Sequence, residues 1–141
     1  TKYESKIGQI SCNDQVVFAV LSNLENLKRF EDAILKDKVK DLEITADYVR
    51  IQVDGLAQKF IIRIVEKEEF KTIKFGIDNI PMDVNFWIQL KQIAEQDTRI
   101  KLTIKADIPM MFRMMFEKKL QQGLDQAVDM LCQVPYQNWA N

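Results

Sequence analysis

The sequence predicts an α+β architecture: a curved antiparallel sheet of about six to seven strands around a long C-terminal helix, with two short helices after the first strand. Three observations predict it. Between residues 40 and 106, apolar and polar side chains alternate in successive runs separated by turn residues. Between residues 13 and 35 the apolar spacing is helical and is interrupted at Asn23. After Pro109 an apolar stripe recurs at the helical period to Val134.

Tyr3 to Ser11 reads as the first strand. Asn13 suits an N-cap, its side chain accepting from the orphan amides of a helix through Val17, Phe18, Val20 and Leu21. Leu24 to Leu35 follows as a second short helix with Leu27, Phe30 and Ile34 on one face. After Asp37 the period changes to two. Lys40 to Thr45 and Tyr48 to Val53 pair across Ala46-Asp47, with Val49, Ile51 and Val53 on one face. Asp54-Gly55 is a hairpin signal, because both residues tolerate positive φ. The next strand turns Leu56, Phe60, Ile62 and Ile64 inward and ends at the charged turn Glu68 to Lys71.

Thr72 to Ile77 places Ile73, Phe75 and Ile77 inside. Beyond the turn at Asn79-Ile80-Pro81, Met82, Val84, Phe86, Ile88 and Leu90 alternate against Asp83, Asn85, Trp87, Gln89 and Lys91. The last strand, Thr98 to Ala106, sets Ile100, Leu102 and Ile104 against Arg99, Lys101, Thr103 and Lys105. One apolar and one charged face describe a meander covered on one side only. Pro109 suits the first turn of the terminal helix and Pro135 stops it near Val134.

Composition bounds the function. At 141 residues, 47% apolar and 29% charged, the chain is of ordinary globular type and is expected to form one domain, 1–141. A net charge of −1 without a basic block argues against nucleic acid. No apolar run is long enough to span a bilayer. The first dozen residues, with Glu4, Lys6 and Gln9, do not resemble a signal peptide, and the cytoplasm is the expected compartment. Cys12 and Cys132 form no CxxC pair and are expected as reduced, small hydrophobes. The chain has no histidine, which removes the commonest general base, the usual zinc ligand and every Ser-His or Cys-His nucleophile. No GxxxxGK, GxGxxG, HExxH or GxSxG motif occurs.

The Ser11-Cys12-Asn13-Asp14 junction, the Asp54-Gly55 hairpin and Ala106-Asp107-Ile108-Pro109 lie within an element order that resembles the START-like helix-grip superfamily (SRPBCC, Bet v 1-like, polyketide cyclase-like). The likeness covers essentially the whole chain. It implies a cavity between sheet and terminal helix that binds or transports hydrophobic ligands such as lipids, sterols, polyketides or quinones, and in some branches cyclase-type chemistry or chaperone assistance. The glycine-rich loop of the plant Bet v 1 relatives has no counterpart, since Ala46-Asp47 occupies the comparable hairpin. The histidines that hold iron in Rieske-associated members are missing, so no cofactor or metal is expected.

The candidate ligand contacts are the inward residues Val49, Ile51, Phe60, Ile62, Phe75, Phe86, Ile88 and Leu102, together with Met111, Arg113, Met114 and Met115. Met111, Met114 and Met115 fall outside the main stripe, so the first two turns of the helix are apolar nearly all round. They are either enclosed by the loops and short helices, as a cavity mouth or gap-filling core, or they leave an exposed apolar patch. Arg113 either anchors an anionic head group or pairs with Glu117 one turn on. Gly123 faces the stripe, where it would let the sheet or a ligand approach closely.

The first functional reading is a monomeric or homodimeric binder of a small hydrophobic or amphipathic ligand. Two others stand beside it: a cyclase or dehydratase using the same cavity, and a co-chaperone-like interaction module. The absence of histidine weighs against the enzyme.

Overall fold

In the computed structural model, which describes residues 1–35, 39–55 and 57–140, one eight-stranded antiparallel sheet carries the chain. Leu56, and the side chains of Ala33 and Ile34, lie outside the described residues. The strands are β1 (Lys2–Glu4), β2 (Gly8–Ile10), β3 (Val39–Ile44), β4 (Tyr48–Val53), β5 (Phe60–Glu68), β6 (Thr72–Asp78), β7 (Val84–Ala94) and β8 (Asp97–Ala106). Their order across the sheet is β1-β8-β7-β6-β5-β4-β3, with β2 also on β8.

The single first strand expected from Tyr3 to Ser11 is divided in two. Ser5 interrupts it by exchanging bonds with one residue of β8: its amide donates to the Leu102 carbonyl and its Oγ accepts from the Leu102 amide. The Lys6 amide then turns away to the Asp125 carboxylate.

The helices are α1 (Asp14–Leu21), a 3-10 helix (Leu24–Phe30), α2 (Glu31–Ile34), α3 (Met110–Cys132) and α4 (Tyr136–Trp139). Asn13 caps α1, its Oδ1 accepting from the Val16 amide at 2.9 Å. The second short helix is therefore a 3-10 turn running into one α-turn rather than a single α-helix. Its first amide, Leu24, donates to the Ala46 carbonyl, so the β3–β4 turn holds the helix over that end of the sheet.

Register explains why one face of the sheet is apolar. Phe75 stands opposite Phe86, Ile73 opposite Ile88, and Ile88 in turn opposite Leu102. Val49 faces Ile62, which faces Ile77. With side chains alternating at period two, these residues share one surface. A bulge between Ile64 and Glu66 bends β5 and throws Val65 outward over Gly76, where a Cβ would stand 3.2 Å from Val65 Cγ1. Bulges of this kind increase the local bend and twist, and so help to cup the sheet.

The terminal helix meets the sheet with its second half. Leu124 and Val128 are buried, and Ile10, Val17 and Ile100 belong to the same core. The first two turns are different: Met111 is 83% exposed, Met114 91% and Met115 65%. That geometry is the exposed apolar patch, not filled core or an enclosed cavity mouth. Gly123 is likewise exposed, with open space where its Cβ would be, so no close approach of the sheet explains it.

Candidate functional site

A cavity of about 360 Å³ lies between the apolar face of the sheet, the 3-10 helix, and the end of α3. Its sheet wall comes from β3 to β8. Val49, Ile51, Ile62, Phe75, Phe86, Ile88 and Leu102 all contribute, as do Leu42, Ile77, Val84 and Ile104. Phe75 and Phe86 pack with ring centroids 5.3 Å apart and planes tilted by 36°, forming an aromatic section of that wall.

The helical wall has a simple cause. A 3-10 helix has about three residues per turn, so side chains three apart eclipse one another. Leu24, Leu27 and Phe30 therefore form one row, and all three line the cavity. Asn26 and the N-cap residue Asn23 also reach the lining, whereas Arg29 does not. From α3 come Ala127, Met130 and Leu131, and from the tail Val134 and Trp139.

Pro135 ends α3 and starts the short α4 that carries Trp139 back over the 3-10 helix. The Trp139 ring packs on Phe30 at 5.4 Å between centroids, and the Arg29 guanidinium lies over the Trp139 ring at 4.8 Å from its centroid. The hydroxyl of Tyr136 secures this turn by donating to the Leu131 carbonyl at 2.6 Å. Met130, on the same side of the cavity, is 45% exposed, so the cavity approaches solvent there.

Five expected contacts do not reach this cavity. Phe60 pairs with Ile51 in the sheet but is not part of the lining. Met111, Met114 and Met115 belong to the exposed start of α3. Arg113 donates its Nε–H to the Ile108 carbonyl at 3.0 Å, and Glu117 accepts the Tyr3 hydroxyl at 3.0 Å. The local Arg113–Glu117 pair is therefore not formed among the described residues.

Conversely, the 3-10 row and the end of α3 were legible only as generic helical stripes. What sequence could not show was that Leu27 and Phe30 face the sheet across a gap, since a three-residue and a 3.6-residue period barely diverge over two turns.

Electrostatically the cavity is bland. Among the described residues its lining holds no charged side chain and no tyrosine or cysteine. A second, more polar hollow of about 250 Å³ lies between β2 and the tail, with Cys12, Cys132 and Tyr136 among its walls. Both cysteines are free. Burial, helped by the Asp129 carboxylate, pushes the Cys132 thiol up, which is the opposite of an activated nucleophile. Burial likewise pushes the Tyr136 phenol up. Among the described residues no cluster of cysteine and carboxylate groups is arranged to hold a metal ion, and no helix is long and apolar enough to cross a membrane.

A cupped antiparallel sheet, helices after its first strands and a long helix laid on the apolar face define the START-like (SRPBCC, Bet v 1-like) helix-grip fold. No family model matches the sequence, and no curated protein sequence matches it significantly. Solved structures do match in shape. Truncated norcoclaurine synthase from Thalictrum flavum superposes with a TM-score of 0.70 at 10% identity, over 94% of this chain and 90% of that one. A START superfamily protein from Mycobacterium smegmatis gives a TM-score of 0.57 at 12% identity, over 92% and 98%. An HSP90 activator from Plasmodium falciparum gives 0.52 at 14% identity, over 77% and 74%. At such identities the likeness establishes the fold alone.

Proposed function

We propose that this chain binds or carries a small hydrophobic or amphipathic molecule in the cavity between sheet and terminal helix. The observation that carries the proposal is an apolar hollow of about 360 Å³, free of ionisable side chains among the described residues and approaching solvent beside Met130. That volume falls near the lower end of the range for sites holding drug-sized ligands. It suits a single chain or ring system better than a two-chain lipid. Affinity would come from apolar burial, at about 25 cal/mol per Å². Two free thiols suit a reducing compartment, so we place the protein in the cytoplasm.

Cyclase or dehydratase chemistry in the same cavity is the weaker reading. Norcoclaurine synthase is an enzyme of this fold, but here the described lining offers no group able to transfer a proton at neutral pH. A protein-interaction role has one observation in its favour: Met110, Met111, Met114 and Met115 are all at least 65% exposed, with Phe112 and Phe116 about half exposed beside them. Contiguous apolar surface of this kind marks interaction sites, and methionine adapts to varied partners.

Native mass spectrometry and displacement of a fluorescent apolar probe test the main reading. Uptake by the natural chain, lost on the cavity-filling substitution Ile62→Trp but kept when Met114 and Met115 become serine, supports it. Absence of uptake across lipids, polyketides and quinones would sink it.

A further inference from the structure

We infer that the start of α3 docks on an anionic lipid surface, its exposed methionines entering the apolar boundary while Lys118 and Lys119 meet the phosphate head groups. This patch lies apart from the cavity, which among the described residues takes its α3 lining from Ala127, Met130 and Leu131. The inference therefore does not depend on the binding role proposed above.

Shape is the first argument. At about 100° per residue, Met110, Met111, Met114 and Met115 with Phe112 and Phe116 spread over about 240° of the helix circumference, and all six are exposed. A protein groove grips a helix along one stripe, at i, i+3, i+4 and i+7. An apolar knob of this breadth suits a fluid medium that closes around it, as the boundary between head groups and acyl chains does. No helix among the described residues is long and apolar enough to cross a membrane, so α3 would rest on the surface rather than span it.

Charge is the second. From residue 105 to residue 119 the cations Lys105, Arg113, Lys118 and Lys119 stand against the acids Asp107 and Glu117, a net charge of +2 in a chain whose total is −1. Lys118 follows Met114 by four residues and Lys119 follows Met115 by four, so each lysine sits one turn behind an exposed methionine. Both lysines are exposed, and neither pairs with an acid among the described residues. The acids of α3 are engaged elsewhere: Glu117 accepts from the Tyr3 hydroxyl, while Asp125 and Asp129 hold the Lys6 amide and ammonium. A long lysine stem lets its ammonium reach phosphate while neighbouring apolar side chains are immersed. A second copy of this chain fits less well, because a two-fold contact sets like on like and would bring the lysines of both copies together.

Flotation of the full chain with vesicles of phosphatidylcholine alone, and with about one third phosphatidylserine, tests this. Each lysine near an anionic surface is worth about fivefold in affinity. The mixed vesicles should therefore bind at least tenfold more tightly than the neutral ones, and about 0.5 M salt should remove that advantage. Met111→Ser with Met114→Ser should weaken binding to the mixed vesicles at least tenfold. Lys118→Gln with Lys119→Gln should reduce the preference for them at least fivefold. Ile62→Trp, which fills the cavity, should leave vesicle binding unchanged.

Absence of binding to the mixed vesicles would overturn the inference while leaving the cavity reading intact. Equal binding to both vesicles would overturn the role given to charge, and undiminished binding by the methionine variant would overturn the assignment to α3. Loss of binding on Ile62→Trp would move the lipid contact to the cavity. Dimers in sedimentation that the methionine variant dissociates, without vesicle binding, would give the patch to a second copy. Should the methionine variant not fold, the lysine variant and the lipid and salt series still decide.

Discussion

A Cβ placed on Gly8 would stand 2.5 Å from Val128 Cγ1, closer than real atoms approach. This contact is where β2 passes beneath the second half of α3. Cys132 Sγ would be only 2.6 Å from the same Cβ, so two α3 side chains rest directly on the glycine backbone. Val128 is fully buried, and a β-branched side chain has little rotamer freedom with which to yield. Gly8→Ala should therefore lower stability by about 1–3 kcal/mol through overpacking. Urea midpoints measure it, and an unchanged midpoint would show that α3 is not seated there.

The two halves of α3 should respond differently to truncation. Leu124 is 4% exposed in the core, and Leu124→Ala should cost about 2–5 kcal/mol. Met114 is 91% exposed, and Met114→Ala should change stability by no more than about 0.5 kcal/mol. Thermal unfolding of the two variants compares them directly. A large loss at Met114 would mean that the start of the helix is packed in solution.

Removing the α1 cap should have a small, local effect. Asn13→Ala deletes the acceptor of the Val16 amide and is expected to cost about 1 kcal/mol. Chemical denaturation checks the magnitude. Hydrogen exchange of the amides at the start of α1 should rise first.

Alkaline pH should weaken the fold through buried acids. Burial raises the Tyr136 phenol above its ordinary value of about 10, so the folded chain holds that proton more tightly than the unfolded chain. The resulting stability is complete below about pH 10 and is lost as pH rises through the folded value. Cys132, raised chiefly by burial, acts in the same direction from its ordinary pKa of about 8.5 upward. Tyr136→Phe should flatten the decline above about pH 10. At neutral pH it should cost about 1–2 kcal/mol, because the Leu131 carbonyl loses its donor. Stability curves of the two proteins between pH 7 and 11 test both statements, and an equally steep decline in the variant would refute the first.

Much of the sheet wall was readable from sequence because period-two alternation assigns a face without knowledge of the partner strand. Val49, Ile51, Ile62, Phe75, Phe86, Ile88 and Leu102 share the face that alternation assigned them. Asn13 and Pro135 marked helix boundaries for equally local reasons, a side-chain acceptor and a missing N–H. Phe60 shows the limit of that rule, since a correct face does not place a strand's first residue within reach of the hollow.

Sequence by itself determined which residues alternate, where helices begin and stop, and that histidine-dependent chemistry is excluded. Tertiary structure alone decided which half of the last helix meets the sheet. An apolar stripe running from Phe112 to Val134 fits either half, and the seat was settled by a glycine more than a hundred residues away in sequence. The same holds for Trp139, a tail residue that becomes part of the wall only once α4 folds back onto Phe30. Patterns of hydrophobicity encode a face, whereas a cavity depends on where two faces fail to touch, and that requires the register of distant segments.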